Sequence, residues 1–271
     1  MAYADFEESV SGGYPVELYS FIRESNRWDF NSSEGDLNIG GIDYLSVPIQ
    51  RDSTEQNQEM PRKSINIEVA RNVNTFLDQF IAAPPTAITL VTIRRYHAPL
   101  EDFVIVFQGR ILNIRFDEIR ATVRCEPSYT SLKRPGLRRL YSKNCPHVLY
   151  GPICGVNSAA FKVTATLLGV VGTSLNAAAF AGFSDGYFTG GFVSYVDTNG
   201  DNNRRFILDH VGTTITLDLP IPTLAGGANI DAFPGCTRTL AICNNRFANE
   251  DNYGGQPFYP EKNPMRGSPI F

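Results

Sequence analysis

The 271-residue chain is sparing in the residues that carry most enzyme chemistry and most membrane insertion: three histidines, one tryptophan, three methionines and five cysteines. Five cysteines are too few for a disulfide-dense secreted scaffold of this size, and an odd number leaves one over, so reduced thiols in a cytosol are the better reading. Long apolar runs are missing too. The least charged window, residues 165–183, is broken by Gly169, Gly172, Thr173, Ser174 and Asn176, which reads as short strands around a turn and not as a membrane span. The opening MAYADFEESV is acidic where a secretory signal is basic, and no apolar core follows it, so export by that route is not expected. Neither sign of charge dominates: 24 basic against 28 acidic residues leave a net charge of -4, which gives no whole-chain case for nucleic-acid binding. No phosphate-cradling glycine loop and no paired-carboxylate pattern is present. The length suffices for one large domain or two to three small ones with real cores.

What is present is largely strand patterning. PVELYSF, within residues 13–30, alternates apolar and polar and breaks into a loop at Glu24, Ser25, Asn26 and Arg27; the only tryptophan, Trp28, follows as a packing anchor expected at a domain seam. Residues 43–48 form another short strand, and residues 50–60 a polar loop without an apolar anchor, hence exposed. Ile65, Ile67 and Val69 alternate as in a half-buried strand. Val73, Phe76, Leu77 and Phe80 then fall on one helical stripe, which Pro84 and Pro85 end. Strand-like runs follow at 87–95, 103–109 and 111–125, the last two joined tightly near Gly109 and Arg110, an antiparallel arrangement. Residues 1–127 therefore read as a β-rich domain with one short helix and the character of a small barrel, and Cys125 as a buried small hydrophobe.

Residues 128–155 form a basic linker that runs into the first cysteine pair. Lys133, Arg134, Arg138, Arg139 and Lys143 crowd around Pro135 and Gly136. Two readings stand side by side: positive charge that lowers thiol pKa values and offsets a thiolate cluster, or a solvated boundary loop. Residues 156–230 are β-rich again, with strands expected at 160–171, 187–196, 204–211 and 213–219. Residues 197–201, Asp-Thr-Asn-Gly-Asp, resemble the start of a calcium loop, but Gly200 is misplaced and Leu208 stands where the bidentate Glu belongs; a hairpin turn is the preferred reading. Residues 231–271 hold the second cysteine pair and a polar, turn-rich tail.

The chemistry concentrates in four cysteines. Eight residues separate Cys145 from Cys154 and six separate Cys236 from Cys243, with about eighty residues between the pairs. These spacings are unlike zinc-ribbon knuckles, yet two pairs of thiols look like one metal site. On ligand type alone, zinc and an iron-sulfur cluster fit equally. Four protein ligands leave no open position, which argues for a structural or redox-responsive centre. A Cys145–His147 nucleophile, with His210 elsewhere, lacks any oxyanion element, so no enzyme is expected.

The phrase GCTRTLAICNNRFANEDNYGGQPFYP, residues 235–260, resembles the C-terminal signature of long-tailed phage tail-tip proteins, the family of the lambda minor tail protein L, which also includes hub proteins of gene transfer agents. The upstream Cys, eight residues and Cys ahead of a β-rich insert fit the same family. The resemblance covers residues 141–260 well and the N-terminal part only in length and β-rich character. It implies a mainly β fold, with antiparallel β-barrel-like hub domains and a small loop-rich C-terminal iron-sulfur domain. It also implies that Cys145, Cys154, Cys236 and Cys243 ligate a [4Fe-4S] cluster, shielded by Phe247, Tyr253, Phe258 and Tyr259. The implied role is a non-enzymatic subunit of the baseplate hub, a homotrimeric ring joining the sixfold tail tube to the central fibre. The implied partners are the distal tail protein, the central receptor-binding fibre protein and the C-terminus of the tape-measure protein, with DNA only as cargo passing through the lumen. The implied location is the virion tail tip, after assembly in the host bacterial cytoplasm. The alternatives are a zinc-stabilised binding module and, behind it, an iron-sulfur redox enzyme.

Overall fold

A computed structural model describes residues 8, 14–53, 64–71, 75–82, 84–97, 102–133, 136, 141–198 and 200–258. The chain divides into two compact units, residues 1–134 with 198–201, and residues 135–197 with 202–271. Both sheets curl as half barrels.

The first unit contains β1 (Pro15–Arg23), β2 (Asn26–Asn31), β3 (Leu37–Ile39), β4 (Ile42–Ser46), β5 (Ile49–Arg51), β6 (Ile65–Ala70), helix α1 (Thr75–Ala82), β7 (Leu90–His97), β8 (Asp102–Phe116) and β9 (Arg120–Pro127). They form one nine-stranded sheet in the order β3-β4-β2-β1-β7-β8-β9-β6-β5. The expected antiparallel barrel needs two corrections. Among the described residues the edge strands β3 and β5 do not pair with each other, so the sheet stays open; both are only three residues long. The β2–β4 contact is parallel, over Phe30–Leu45 and Asn31–Ser46, because β3 turns back through Gly40 and Gly41, both at positive φ, to pair on the outer side of β4. Buried Asn31 satisfies the backbone where this short ladder stops, donating to the Tyr44 carbonyl at 2.7 Å and accepting from the Ser33 N–H at 2.8 Å.

The segment around residue 24 is a tight β1–β2 hairpin, with Glu24 in the left-handed region and Arg23 opposite Asn26, where the sequence suggested a strand entering a loop. Neighbouring residues of β1 face opposite sides. Tyr19 and Phe21 enter the main core with Ile67, Phe76, Leu77, Ile93 and Val123; Leu18 enters a smaller core with Tyr44 and Tyr96. The helical stripe is confirmed at Phe76 and Leu77, with Phe80 half-buried beside them, while Val73 lies outside the described residues. Trp28 packs on Phe76, ring centroids 5.1 Å apart, so it anchors this core. Arg23 is fully buried; its Nη2 lies 2.6 Å from Asp201 Oδ2, Asn26 donates to Asp201 Oδ1 at 2.7 Å, and Gln79 accepts from the same guanidinium. Burying such a pair is tolerated where further hydrogen bonds accompany the ion pair; here they reach Nε and Nη2, while Nη1 makes none among the described residues. Cys125 is buried as expected, and burial pushes its thiol up to about 12.

A turn at Gly109 is not found. Strand β8 runs through it for 15 residues and turns only at Asp117, whose N–H meets the Arg120 carbonyl at 2.8 Å. Gly109 is there for close approach: a Cβ on it would lie 2.1 Å from the Glu126 carbonyl oxygen. Of the polar loop expected at residues 50–60, positions 54–60 lie outside the described residues.

The second unit contains β10 (Val163–Thr166), β11 (Gly169–Val171), β12 (Ser174–Asn176), β13 (Phe192–Val196), β14 (Asn202–Val211), β15 (Thr214–Leu217), β16 (Asn229–Phe233) and helix α2 (Leu240–Phe247). Its seven-stranded sheet, in the order β10-β16-β13-β14-β15-β12-β11, is antiparallel throughout. Leu175, Phe180, Phe188, Val193, Ile207, Ile215 and Ile230 fill its core. The β13–β14 hairpin closes with Val196 opposite Asn202, and Gly200 in its loop has φ +84°, the reading preferred over a calcium loop.

Candidate metal centre

All four cysteines expected at the centre are free thiols and line one cavity of about 230 Å³ in the second unit. Two stretches with no strand of their own carry them. Residues 141–157 fold back through turns, the Gly151 N–H meeting the Val148 carbonyl and the Gly155 N–H meeting the Gly151 carbonyl, both at 3.0 Å. Tyr150 and Gly155 adopt positive φ in this stretch. That folding presents Cys145 and buried Cys154 to the same space.

The second pair sits on a loop and a helix, where the sequence suggested loops alone. Gly191 and Gly235 let two backbones touch: a Cβ on Gly235 would lie 2.1 Å from the Thr189 carbonyl oxygen. This contact holds Cys236 beside Gly190 and Gly191 at the cavity wall. Thr239 caps α2 by accepting from the Ile242 N–H. One turn apart on α2, Cys243 and Phe247 share its buried face. Arg238, at φ +63°, turns the chain so that its carbonyl accepts the Cys145 N–H at 2.9 Å and the Tyr253 hydroxyl at 3.1 Å.

N–H groups point at three of the four sulfurs. Arg238 N–H donates to Cys236 Sγ at 3.3 Å, Gly254 N–H to Cys145 Sγ at 3.4 Å, and the Asn249 side-chain amide to Cys154 Sγ at 3.8 Å. Cys243 Sγ instead donates to the Asn249 carbonyl at 3.1 Å. Burial, then the neighbouring Cys236, Cys145 and Cys154, raises the Cys243 thiol above its ordinary range. Burial, then Cys145, Cys243 and Cys236, raises the Tyr253 hydroxyl. Aromatic rings close the apolar side: Phe247 packs edge-on to Phe161 at 5.0 Å and to Tyr150 at 6.2 Å, and the Tyr150 hydroxyl is tied to the Pro234 carbonyl at 3.0 Å.

In a tetrathiolate zinc site, Zn–S bonds near ~2.3 Å put the sulfurs roughly 3.8 Å apart. Among the described residues no group of three or more His, Cys, Asp or Glu is placed to hold a single metal ion. The cysteines border a volume several times the ~30 Å³ share of one water, with N–H donors on their sulfurs as iron-sulfur centres use them. Four thiol donors with N–H groups on three of their sulfurs are chemically compatible with an iron-sulfur cluster.

The other expected contributors divide. Phe258 is 91% exposed and so does not shield the cavity, and Tyr259 lies outside the described residues. His147 lines the cavity, with Nδ1 3.1 Å from the Asn252 carbonyl. His210 is buried in the sheet core, edge-on to Phe188 at 4.9 Å, and forms no pair with Cys145. Arg134, Arg138 and Arg139 lie outside the described residues, and the Lys143 carbonyl accepts the Tyr253 hydroxyl at 2.6 Å. Sequence reasoning missed Arg238, Asn249, Asn252 and Gly254 as parts of the site. The run of Asn and Gly after Cys243 was the only local signal for the last three.

Residues 17–157 match the family described as "Baseplate hub protein, N-terminal attachment domain". The match takes in more than half of the chain, which therefore belongs to this family of baseplate hub proteins and is a component of phage-type particles. Residues 186–263, with the second cysteine pair, match a further family described as "Phage conserved hypothetical protein BR0599". An uncharacterized protein of Xylella fastidiosa (strain 9a5c) is 35% identical over 178 residues, 60% of this chain and 37% of the relative. The chain thus spans little more than a third of that relative's length. A solved chain titled "Virion of native gene transfer agent (GTA) particle" shares the fold, with a TM-score of 0.79 over 99% of this chain and 96% of that one, at 18% identity. Among the described residues no helix is long and apolar enough to cross a membrane.

Proposed function

We propose that the chain is a non-enzymatic structural subunit of a tail-tip baseplate hub, forming a homotrimeric ring between the sixfold tail tube and the central fibre. In this reading Cys145, Cys154, Cys236 and Cys243 hold a [4Fe-4S] cluster that braces the loop-rich end of the second unit. The partners are the distal tail protein, the fibre protein and the end of the tape-measure protein. The observation that carries the cluster reading is the convergence of four free thiols, from pairs about eighty residues apart, on one cavity with N–H groups aimed at three sulfurs. When bound, the cluster supplies four iron–thiolate bonds that tie the two stretches together, as metal binding does in domains with little core of their own.

The chain's own residues do the rest. The Arg238 carbonyl locks the Cys145 backbone, α2 presents Cys243, and Phe247 with Tyr150 keeps water from the apolar side. The test is purification without oxygen, with iron and acid-labile sulfide counted per chain and the visible spectrum followed on reduction. Four irons and four sulfides with a broad band that bleaches are expected, and Cys236→Ser should lose them together with tail assembly. A colourless chain that binds zinc, or a Cys236→Ser variant that builds normal infectious tails, would overturn the corresponding part of the reading.

A further inference from the structure

Asn249 makes polar contacts to cysteines of both pairs. It follows α2, whose end is capped by Ala248 in the left-handed region. Its backbone N–H meets the Cys243 carbonyl at 3.1 Å, and its own carbonyl accepts from Cys243 Sγ at 3.1 Å. Its side-chain Nδ2 donates to the Cys154 carbonyl at 2.6 Å and lies 3.8 Å from Cys154 Sγ. Its Oδ1 accepts from Asn252 Nδ2 at 2.7 Å. The Cys154 carbonyl can only accept, so the amide orientation follows from its partners. Asn252 continues the chain of contacts, its carbonyl 3.1 Å from His147 Nδ1, two residues after Cys145.

We propose that Asn249 is the positioning residue of the centre. It fixes Cys154 of the first pair against Cys243 of the second, and its amide donates to the sulfur of Cys154. The inference rests on the cluster reading above and adds a residue that ligates nothing. The chemistry requires an amide. Asp has nearly the same shape but only accepts, so it would set a carboxylate against the Cys154 carbonyl and sulfur. Ala would leave both without this donor. Groups that orient metal ligands typically change metal retention by about 10–100-fold when replaced, and hydrogen bonds to cluster sulfurs set reduction potential.

The experiment uses the full chain, loaded with ferrous iron and sulfide without oxygen, as wild type, Asn249→Asp, Asn249→Ala and Asn245→Asp. Asn245 is exposed on α2, so Asn245→Asp repeats the charge change away from the thiols. Iron loss to a chelator, the reduction midpoint and melting of the iron-free chain are measured. Asn249→Asp is expected to lose iron at least about tenfold faster than wild type and to shift the midpoint to more negative potential. Asn249→Ala should show the same directions to a smaller extent, and Asn245→Asp should match wild type. If the Asn249 variants lower the iron-free melting temperature but leave chelation rate and midpoint unchanged, Asn249 is only a helix cap and the proposal is wrong. Equal effects from Asn245→Asp and Asn249→Asp would overturn it as well. A wild-type chain that takes up neither iron nor sulfide overturns the cluster reading itself, and this proposal with it.

Discussion

The first unit and the cysteine-bearing end of the second hold their shape by different means. In the first, Tyr19, Phe21, Ile67, Phe76, Leu77, Ile93 and Val123 belong to one continuous apolar core under a nine-stranded sheet. Around the cavity the buried apolar cluster among the described residues is Cys154, Val156 and Phe247, with half-buried neighbours such as Tyr150 and Phe161. Backbone contacts at Gly191 and Gly235, side-chain amides and the thiols supply the rest. Where apolar burial is plentiful, single polar contacts are spare; where it is scarce, each one fixes geometry. The two regions also carry separate optical reporters, since Trp28 is the only tryptophan and packs in the first core, whereas a visible band would arise at the cavity.

The largest effect is expected from Phe76→Ala, which empties the centre of the first core where Phe21 lies 4.7 Å and Trp28 5.1 Å from the Phe76 ring. It should cost about 3–5 kcal/mol, read as an earlier Trp28 unfolding transition at unchanged iron content. An unshifted Trp28 transition would mean that the core does not govern this unit. A smaller effect, confined to the other region, is expected from Gly254→Ala. The added Cβ would lie 2.4 Å from the His147 ring, which cannot swing away without losing its contact to the Asn252 carbonyl, and the Gly254 N–H would leave Cys145 Sγ. Iron retention should fall about tenfold with Trp28 unaffected; a Trp28 shift of the Phe76→Ala kind would erase the distinction between the regions.

The smallest effect is a pH dependence that sharpens the contrast from the first unit's side. Burial raises the Cys125 thiol from its ordinary 9.0 to about 12. The unfolded chain therefore gives up this proton first, and the contribution is whole below pH 9 and lost as pH rises toward 12. By pH 9.5 the loss is about 0.8 kcal/mol. Denaturation followed by Trp28 at pH 8 and 9.5 measures it, and Cys125→Ala should abolish this part of the pH dependence. Burial also raises Tyr19, which adds a loss of the same sign only above its ordinary value.

Period and burial made most strands legible. The alternation of Ile65, Ile67 and Val69 became β6, and the stripe at Phe76, Leu77 and Phe80 became α1. Glycine was read less well. Gly109 looked like a turn because a sequence shows flexibility and not the neighbour that requires a missing side chain; the Glu126 carbonyl beside it is distant in sequence. β12 falls among the short strands expected around a turn in residues 165–183, whereas β16 escaped notice because it is five residues long and follows a stretch punctuated by Gly and Pro. The helix carrying Cys243 was hidden because LAICNNRF has little apolar periodicity and starts from the cap at Thr239. The four cysteines were legible as a set because thiols in two pairs are rare in this composition. Arg238, Asn249 and Gly254 were not, because their parts are played largely by backbone and amide groups that any polar loop contains.

The spacing of the two cysteine pairs also sets an order in time. Cys154 and Cys236 are separated by the β-rich insert, about eighty residues long. At roughly 5–20 residues per second of synthesis, the upstream thiols leave the ribosome about 4–16 s before the downstream ones. Throughout that interval the nascent chain offers half a donor set, while the strands that will bring the halves together are still being made. The four thiols can meet only once the insert between them has been made.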